Sequence, residues 1–457
     1  MTRSLETDYL VIGAGAMGMA FTDALVDHAD VHVTLVDRRS RAGGHWIDAY
    51  PFVQLHQASL FYGVASTVLG TGAVQTTGPE AGLQQRATVT EILAYYERVL
   101  ARLVGSGRVS FLGGCEVGAE GVTSIASGER TKIAVRRRVV DATYLSPTIP
   151  ATTPAPFPVG EDVHIAPIND LPRLAGAARS YVIVGSGKTA TDAIIWLLGN
   201  QVAADRIVWV RPRDPWMLDR ATVQPDPVVA LDLATNVMAC AARATTPDEL
   251  FFGLEDAGVM LRLDRDVRPT MAKAPTLGRW ELALLRTIER VVRLGHIRRI
   301  TSTAIVLDRG EVRLEPGALV VHCAAAGLQY PPLHPIWAPD RIRLQTVRAG
   351  FPCFNAALTG YVEATRDDDR ERNRLCPPNL YPDTLASWAR MHARSVIATR
   401  LFGAEPDIAA WATATVLNPS RIEPARRDDP AVQAAASRLA EHIDLGLARL
   451  VALGGES

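Results

Sequence analysis

Short apolar runs recur along the chain, and two of them end on the same kind of turn. Tyr9-Leu10-Val11-Ile12 runs into Gly13-Ala14-Gly15-Ala16-Met17-Gly18, and Tyr181-Val182-Ile183-Val184 runs into Gly185-Ser186-Gly187-Lys188-Thr189-Ala190. An unbroken apolar run of this length reads as a strand buried on both faces, and the glycines that follow read as a tight turn opening a helix. A second strand is predicted after each turn. Val31-His32-Val33-Thr34-Leu35-Val36 ends in Asp37, and Ile207-Val208-Trp209-Val210 ends in Arg211-Pro212-Arg213. Thr88-Val89-Thr90-Glu91 has the spacing of a capping box and predicts an amphipathic helix reaching Leu103. Residues 133–140 read as strand. Residues 146–158 carry five prolines and read as an extended connector between domains. Helical periodicity marks residues 247–258 and 277–294, inside a long section, about 215–300, that reads as a helical insertion. The tail from 382 to 454 is helical as well. Residues 361–374 alternate acids and bases and read as a salt-bridged helix face, with a polar substrate mouth as the other reading.

Strand, glycine turn and helix N-terminus together form the cradle of a dinucleotide pyrophosphate. Two such cradles in one chain imply an enzyme that holds two dinucleotides. Their ribose contacts differ. Asp37 lies about 20 residues past the first glycines, where a carboxylate accepts hydrogen bonds from ribose hydroxyls. At the second site Arg211 and Arg213 suit a 2′-phosphate, which points to NADP, or else form a solvated strand end. The expected contacts there are Gly185, Gly187, Lys188 and Thr189, with Ala190 as the small third residue. A phosphate-binding P-loop is excluded, because that motif needs glycine where Val182 stands.

These residues resemble the flavin-containing (class B) monooxygenases and their N-hydroxylating relatives. Gly13, Gly15 and Gly18 match the family's FAD fingerprint, and Gly43-Gly44-His45-Trp46 looks like its GGxW segment beside the flavin. Gly185, Gly187 and Ala190 match the NADPH fingerprint. The stretch Phe157 to His164 is similar to the family signature preceding it, with Ile168 where an aromatic residue stands in the family. Ala325-Ala326-Gly327 takes the place of the ATG that ends a later strand.

The resemblance implies an α/β fold with two Rossmann-like dinucleotide-binding domains, for FAD and NADPH, plus the helical insertion and the helical C-terminal tail. The expected boundaries are 1–165 for the first part of the FAD domain and 175–318 for the NADPH domain. Residues 319–457 are expected to return to the FAD domain and add the tail. The implied reaction passes a hydride from NADPH to FAD. A C4a-hydroperoxyflavin then delivers one oxygen atom of O2 to a small molecule, with nitrogen preferred and sulfur or Baeyer–Villiger chemistry open. An asparagine that supports the peroxide in the family corresponds to the stretch Leu55-His56-Gln57, so Gln57 is the candidate amide donor and His56 its neighbour. Trp46 either stacks near the isoalloxazine or packs its loop. His45 either donates to flavin or substrate or caps a turn. Gly44 and Gly327 are expected to line the FAD site. Arg38, Arg39 and Arg41 touch the FAD or form a solvated loop. Two other readings compete: an NADPH-dependent dehydrogenase or oxidase, and a non-catalytic NADP-binding sensor.

Composition narrows the remainder. A chain of 457 residues with 48% hydrophobic content suits two or three domains. Its net charge of −1 gives no electrostatic case for nucleic acid. The first residues lack the apolar stretch of a signal peptide, and no run reaches membrane-spanning length, so a cytoplasmic protein is expected. The five cysteines, Cys115, Cys240, Cys323, Cys353 and Cys376, are scattered singly, which argues against a disulfide reductase. His28 and His32 fall on different elements, and no metal site is expected.

Overall fold

The structure, a computed structural model, describes residues 3–455 except Ala326 and Leu328. The expected Ala325-Ala326-Gly327 turn therefore lies partly outside the described residues, as does the extreme N-terminus.

The first apolar run forms the centre of a mainly parallel sheet. Strand Arg3–Ile12 pairs in parallel with Val33–Asp37 on one side and Arg130–Asp141 on the other, with Tyr9 opposite Val33 and Ile12 opposite Asp141. Val109–Gly113 extends the sheet beyond Val33–Asp37, and Arg341–Arg343 extends it beyond Arg130–Asp141. Helix Ala16–His28 follows the first turn, and helix Pro352–Thr365 packs along it. The capping box forms as expected: Glu91 accepts from the Thr88 amide at 2.8 Å and opens helix Val89–Gly105.

The second apolar run is the centre of a five-stranded, all-parallel sheet. Its order is Val291–Val292, Ile207–Val210, Ser180–Val184, Ala318–His322, Ile165–Pro167. This order corrects one boundary. The strand expected to begin the return at Leu319 pairs with the second sheet instead, Ser180 opposite Ala318 and Val184 opposite His322. The chain rejoins the first sheet only at Trp337–Ala338 and Arg341–Arg343. An unbroken apolar run fits the interior of either parallel sheet, so its pattern does not choose between them.

The insertion holds helices Pro227–Arg243 and Pro247–Asp256, but it is not wholly helical. Trp216–Asp219 sits between Met260–Arg262 and Thr276–Leu277 in a small sheet. The periodicity at 277–294 yields only a helix over Arg279–Leu285, because Val291–Val292 is drawn into the second sheet beside Trp209 and Val210. Tertiary pairing overrides a local pattern when a β-branched pair reaches an open sheet edge. The tail helices Leu385–Gly403 and Pro430–Gly454 pack onto the insertion. Trp216, Phe251, Trp388 and Leu450 share that core.

The charged segment at 361–374 is a set of ion pairs, one of them, Glu363 with Arg372, buried. Glu363 accepts from the Tyr9 hydroxyl at 2.6 Å and the Trp337 indole at 2.8 Å, and pairs with Arg372 at 3.2 Å. It ties the central strand, the returning strand pair and the helix that covers them. Replacing Glu363 with Ala orphans two buried donors and weakens the pairing of a buried guanidinium. The expected loss is about 3 kcal/mol of unfolding free energy, read from urea denaturation against the parent protein.

Candidate functional site

The first glycine turn works through two close backbone approaches. Gly13 has a φ of 104°, and its amide donates to the Val36 carbonyl at 2.8 Å. A Cβ on Gly18 would lie 1.9 Å from the Gly13 carbonyl oxygen, so the helix starts tight against the turn. The GGHW segment lies directly on this turn. Gly43 donates to the Ala14 carbonyl at 2.9 Å, and a Cβ on Gly44, whose φ is 57°, would come within 2.8 Å of the Gly15 Cα. Asp37 braces the turn from beneath: one carboxylate oxygen accepts from the Ala14 amide at 2.7 Å, the other from the Arg39 amide at 2.8 Å.

A cavity of about 590 Å³ opens from these elements. Gly13, Gly15, Asp37, Gly44, His45 and Trp46 line it, and so do His56 and Gln57. The structure thus gathers most of the expected first-site residues around one space. Gly18 acts from behind, by its packing. The helix that begins here has Gly15 at its N-cap and no side-chain cap, which leaves its first amides for a ligand. Oriented amides, a carboxylate at the strand end and a deep cavity fit an adenine dinucleotide. Arg38 and Arg39 also line the cavity, and Arg39 is paired with Asp48.

His56 and Gln57 stand out chemically. Both the His56 ring and the Gln57 amide line the cavity. Burial holds His56 well below the ordinary histidine range, and the cations of Lys188, Arg220 and Arg86 push it further down. The backbone at this point is held firmly: the Leu55 carbonyl accepts from Arg86 at 3.0 Å and the His56 carbonyl from Arg220 at 3.1 Å. Trp46 is a wall of the cavity, with its indole N–H donating to the Tyr62 hydroxyl at 2.6 Å and its ring edge-on to Tyr62.

The second turn lies outside this cavity. Gly185 donates to the Val210 carbonyl at 3.0 Å, and the Trp209 indole donates to the Gly185 carbonyl at 2.7 Å. Gly187 is the uncapped N-cap of helix Lys188–Gly199, and a Cβ there would meet nothing within 4 Å, so this helix start is also open to a ligand. The cations expected to read the ribose are engaged within the protein. Arg211 lies under the turn, 4.5 Å from the Trp209 ring and 3.0 Å from Asp214, with its side chain 3% exposed. Burial lowers its pKa to about 10 despite Asp214. Arg213 donates to Asp383 and to the Thr270 carbonyl, both at 2.9 Å, and is 33% exposed. Lys188 pairs with Asp192, which also accepts from the Tyr50 hydroxyl at 2.6 Å. The Thr189 side chain, on the second residue of the helix that Gly187 opens, makes no hydrogen bond among the described residues. Gly327 bridges to Thr148, whose amide donates to its carbonyl at 3.0 Å, just past the cavity-lining residues Ser146 and Pro147.

Several contributors left no mark in the sequence. Pro352 and Tyr381 reach the same cavity from the C-terminal part of the chain, and Tyr62 completes the Trp46 wall. Arg86 and Arg220 lie in polar stretches with no motif. Of these, only Tyr62 had a local hint, as an aromatic residue shortly after GGHW.

Two glycine turns, each leading from a strand paired in parallel into a helix, define a fold of two Rossmann-like units, with the cavity on the first. Residues 11–59 match the NAD(P)-binding Rossmann-like domain family. Polycyclic ketone monooxygenase from Thermothelomyces thermophila superposes with a TM-score of 0.53 at 13% identity, covering 97% of this chain and 89% of that one. A cyclohexanone monooxygenase superposes with a TM-score of 0.50 at 15% identity, covering 97% and 98%. The chain has the fold of the flavin-dependent monooxygenases. Two proteins described as uncharacterized, from Mycobacterium tuberculosis and Mycobacterium bovis, are each 41% identical to it over 420 residues, covering 91% of this chain and 78% of theirs. The chain belongs to the family of these mycobacterial proteins.

The pH behaviour of His45 gives a test of the site. Burial first, then the neighbouring Arg39 cation, lowers its pKa to about 4. The unfolded chain binds this proton near pH 6.5 and the folded chain only near 4. The stabilising contribution is therefore complete above pH 6.5 and is lost as pH falls from 6.5 toward 4. NMR titration of the His45 ring is expected to show a midpoint near 4, moving upward in Arg39→Ala.

Proposed function

We propose that the protein is an FAD- and NADPH-dependent monooxygenase that places one oxygen atom of O2 on a small molecule through a C4a-hydroperoxyflavin. Nitrogen is its preferred target, ahead of sulfur or a carbonyl carbon. The observation that carries this reading is the placing of His56 and Gln57 in the wall of the cavity built on the first glycine turn. Bound FAD supplies the redox chemistry, accepting a hydride and activating oxygen.

The chain's own residues bind, orient and exclude water. The first amides of helix Ala16–His28 face the pyrophosphate, and Asp37 has lone pairs left for ribose hydroxyls. The Gln57 amide is a donor for oxygen held at the flavin, and a fixed donor of this kind stabilises developing negative charge. Burial and the cations that keep His56 neutral equally disfavour an ammonium in this cavity, so an amine substrate binds there with its lone pair free. That supports nitrogen as the target. Trp46 and Tyr62 close the wall against solvent. In the second unit the open amides at Gly187 and Lys188 suit the NADPH pyrophosphate. Arg213, the more exposed of the two arginines, turns to the 2′-phosphate by exchanging Asp383, while Arg211 braces the turn through Trp209. No helix among the described residues is long and apolar enough to cross a membrane, and a cytoplasmic location accompanies this reading.

The test mixes the purified protein anaerobically with NADPH, or with NADH, and then admits oxygen under stopped flow. Yellow protein that NADPH reduces faster than NADH, followed by an absorbing flavin adduct that returns to oxidised flavin as an added amine is oxygenated, is the expected result. Amine, thioether and ketone probes then rank the three chemistries. Direct return to oxidised flavin with release of hydrogen peroxide would make the protein an oxidase, and colourless protein that binds NADP without FAD would make it a sensor. Gln57→Leu is expected to lower oxygen transfer about 100-fold while leaving reduction by NADPH near the parent rate.

A further inference from the structure

The segment that carries His56 and Gln57 is gripped by a buried set of charges drawn from both dinucleotide units. Arg220, 1% exposed, contacts Glu80, Glu281 at 2.6 Å and the His56 carbonyl at 3.1 Å. Arg86 pairs with Glu80 at 3.0 Å and donates to the Leu55 carbonyl at 3.0 Å. The Thr276 hydroxyl donates to the His56 carbonyl as well. The Trp280 indole donates to Glu80 at 3.2 Å, and the Gly278 amide to Glu281 at 2.6 Å. Two arginines and two glutamates leave the set neutral. Burial alone would raise the Glu80 carboxyl, yet Arg220 and Arg86 hold it below its usual range.

The origins of these groups give the set its meaning. Glu80 and Arg86 come from the loop before helix Val89–Gly105 of the first unit. Arg220, Thr276, Trp280 and Glu281 come from the insertion of the second unit. A buried ion network is weak as a source of stability, because desolvation offsets most of the attraction. Its geometry is demanding, and here that geometry converges on two carbonyls beside the flavin cavity.

We propose that Arg220 and Glu281, with Thr276, are positioning residues for the oxygen-handling wall. Arg220 and Thr276 dock on the His56 carbonyl and Glu281 holds the Arg220 guanidinium, so they set where His56 and Gln57 stand and the second unit completes the face of the first unit's cavity. This inference rests on the reading of His56 and Gln57 given under Proposed function. Arg220 does not touch the reacting atoms, and its effect runs through the backbone it holds.

The holoprotein carrying Thr276→Val, Arg220→Lys or Arg130→Ala tests this. Thr276→Val removes a single hydroxyl, and Arg220→Lys keeps the charge but loses the planar fork that reaches two carboxylates and a carbonyl together. Arg130 pairs with Glu120 on the exposed surface and serves as control. Two readouts are taken: oxygenated product per NADPH consumed, and amide hydrogen exchange across residues 54–59, whose Leu55 and Ser59 amides are bonded to Ala87 and Gln85 in the parent. In Thr276→Val and Arg220→Lys, product per NADPH is expected to fall about tenfold, the balance appearing as hydrogen peroxide, with flavin reduction nearly unchanged. Exchange at 54–59 is expected to rise about tenfold, and Arg130→Ala to match the parent in both. A lower melting temperature with parental coupling and parental exchange would overturn the proposal. If Arg220→Lys fails to fold, Thr276→Val decides by the same two readouts. If the parent itself makes no product, the monooxygenase reading fails, and exchange at 54–59 still decides whether the clamp exists.

Discussion

The approach of Gly44 to Gly15 is the constraint on which the cavity depends. The two backbones meet so closely that a Cβ on Gly44 would stand 2.8 Å from the Gly15 Cα. That contact lays GGHW across the first turn, brings His45 and Trp46 to the cavity and leaves the amides of helix Ala16–His28 facing inward. Asp37 reinforces it by accepting from the Ala14 amide, so the residue suited to a ribose also holds the turn that suits the pyrophosphate. A ligand lying there meets donors already oriented, with little reorganisation left to binding.

Around the cavity most cations are engaged with carboxylates, and the histidines beside the space are kept neutral. Lys188 is paired with Asp192, Arg220 with Glu80 and Glu281, and Arg213 with Asp383. The cations nevertheless lie near enough to His56 to oppose its protonation. A neutral imidazole and an amide in a cavity wall are a useful combination, since neither needs a counter-ion that would compete with substrate. The two units divide the labour accordingly. The first shapes the chamber, and the second lends the guanidinium and hydroxyl that hold the chamber's wall in register.

Much of this was legible from local pattern. Both glycine turns, their strands, the Asp37 position and the capping box at Thr88 and Glu91 are decided by neighbours a few residues apart, and short-range sterics and hydrogen bonding dictate them. GGHW was readable for the same reason. The weaker signals failed where two outcomes share one pattern. The strand at Ala318–His322 is apolar throughout and fits either sheet, and the periodicity at 277–294 gave way to pairing of Val291 and Val292 at a sheet edge.

The sequence by itself determined two dinucleotide cradles, their order along the chain and the residue types lining the first. Tertiary structure alone decided that the last apolar strand joins the second sheet, that Arg211 turns beneath Trp209 rather than toward a ribose, and that Arg220 meets Glu80 and Glu281. Those glutamates lie 140 and 61 residues away along the chain. No local spacing encodes such a meeting, because a buried charge finds its partner only once the packed units exclude water and make an unpaired charge too costly to keep.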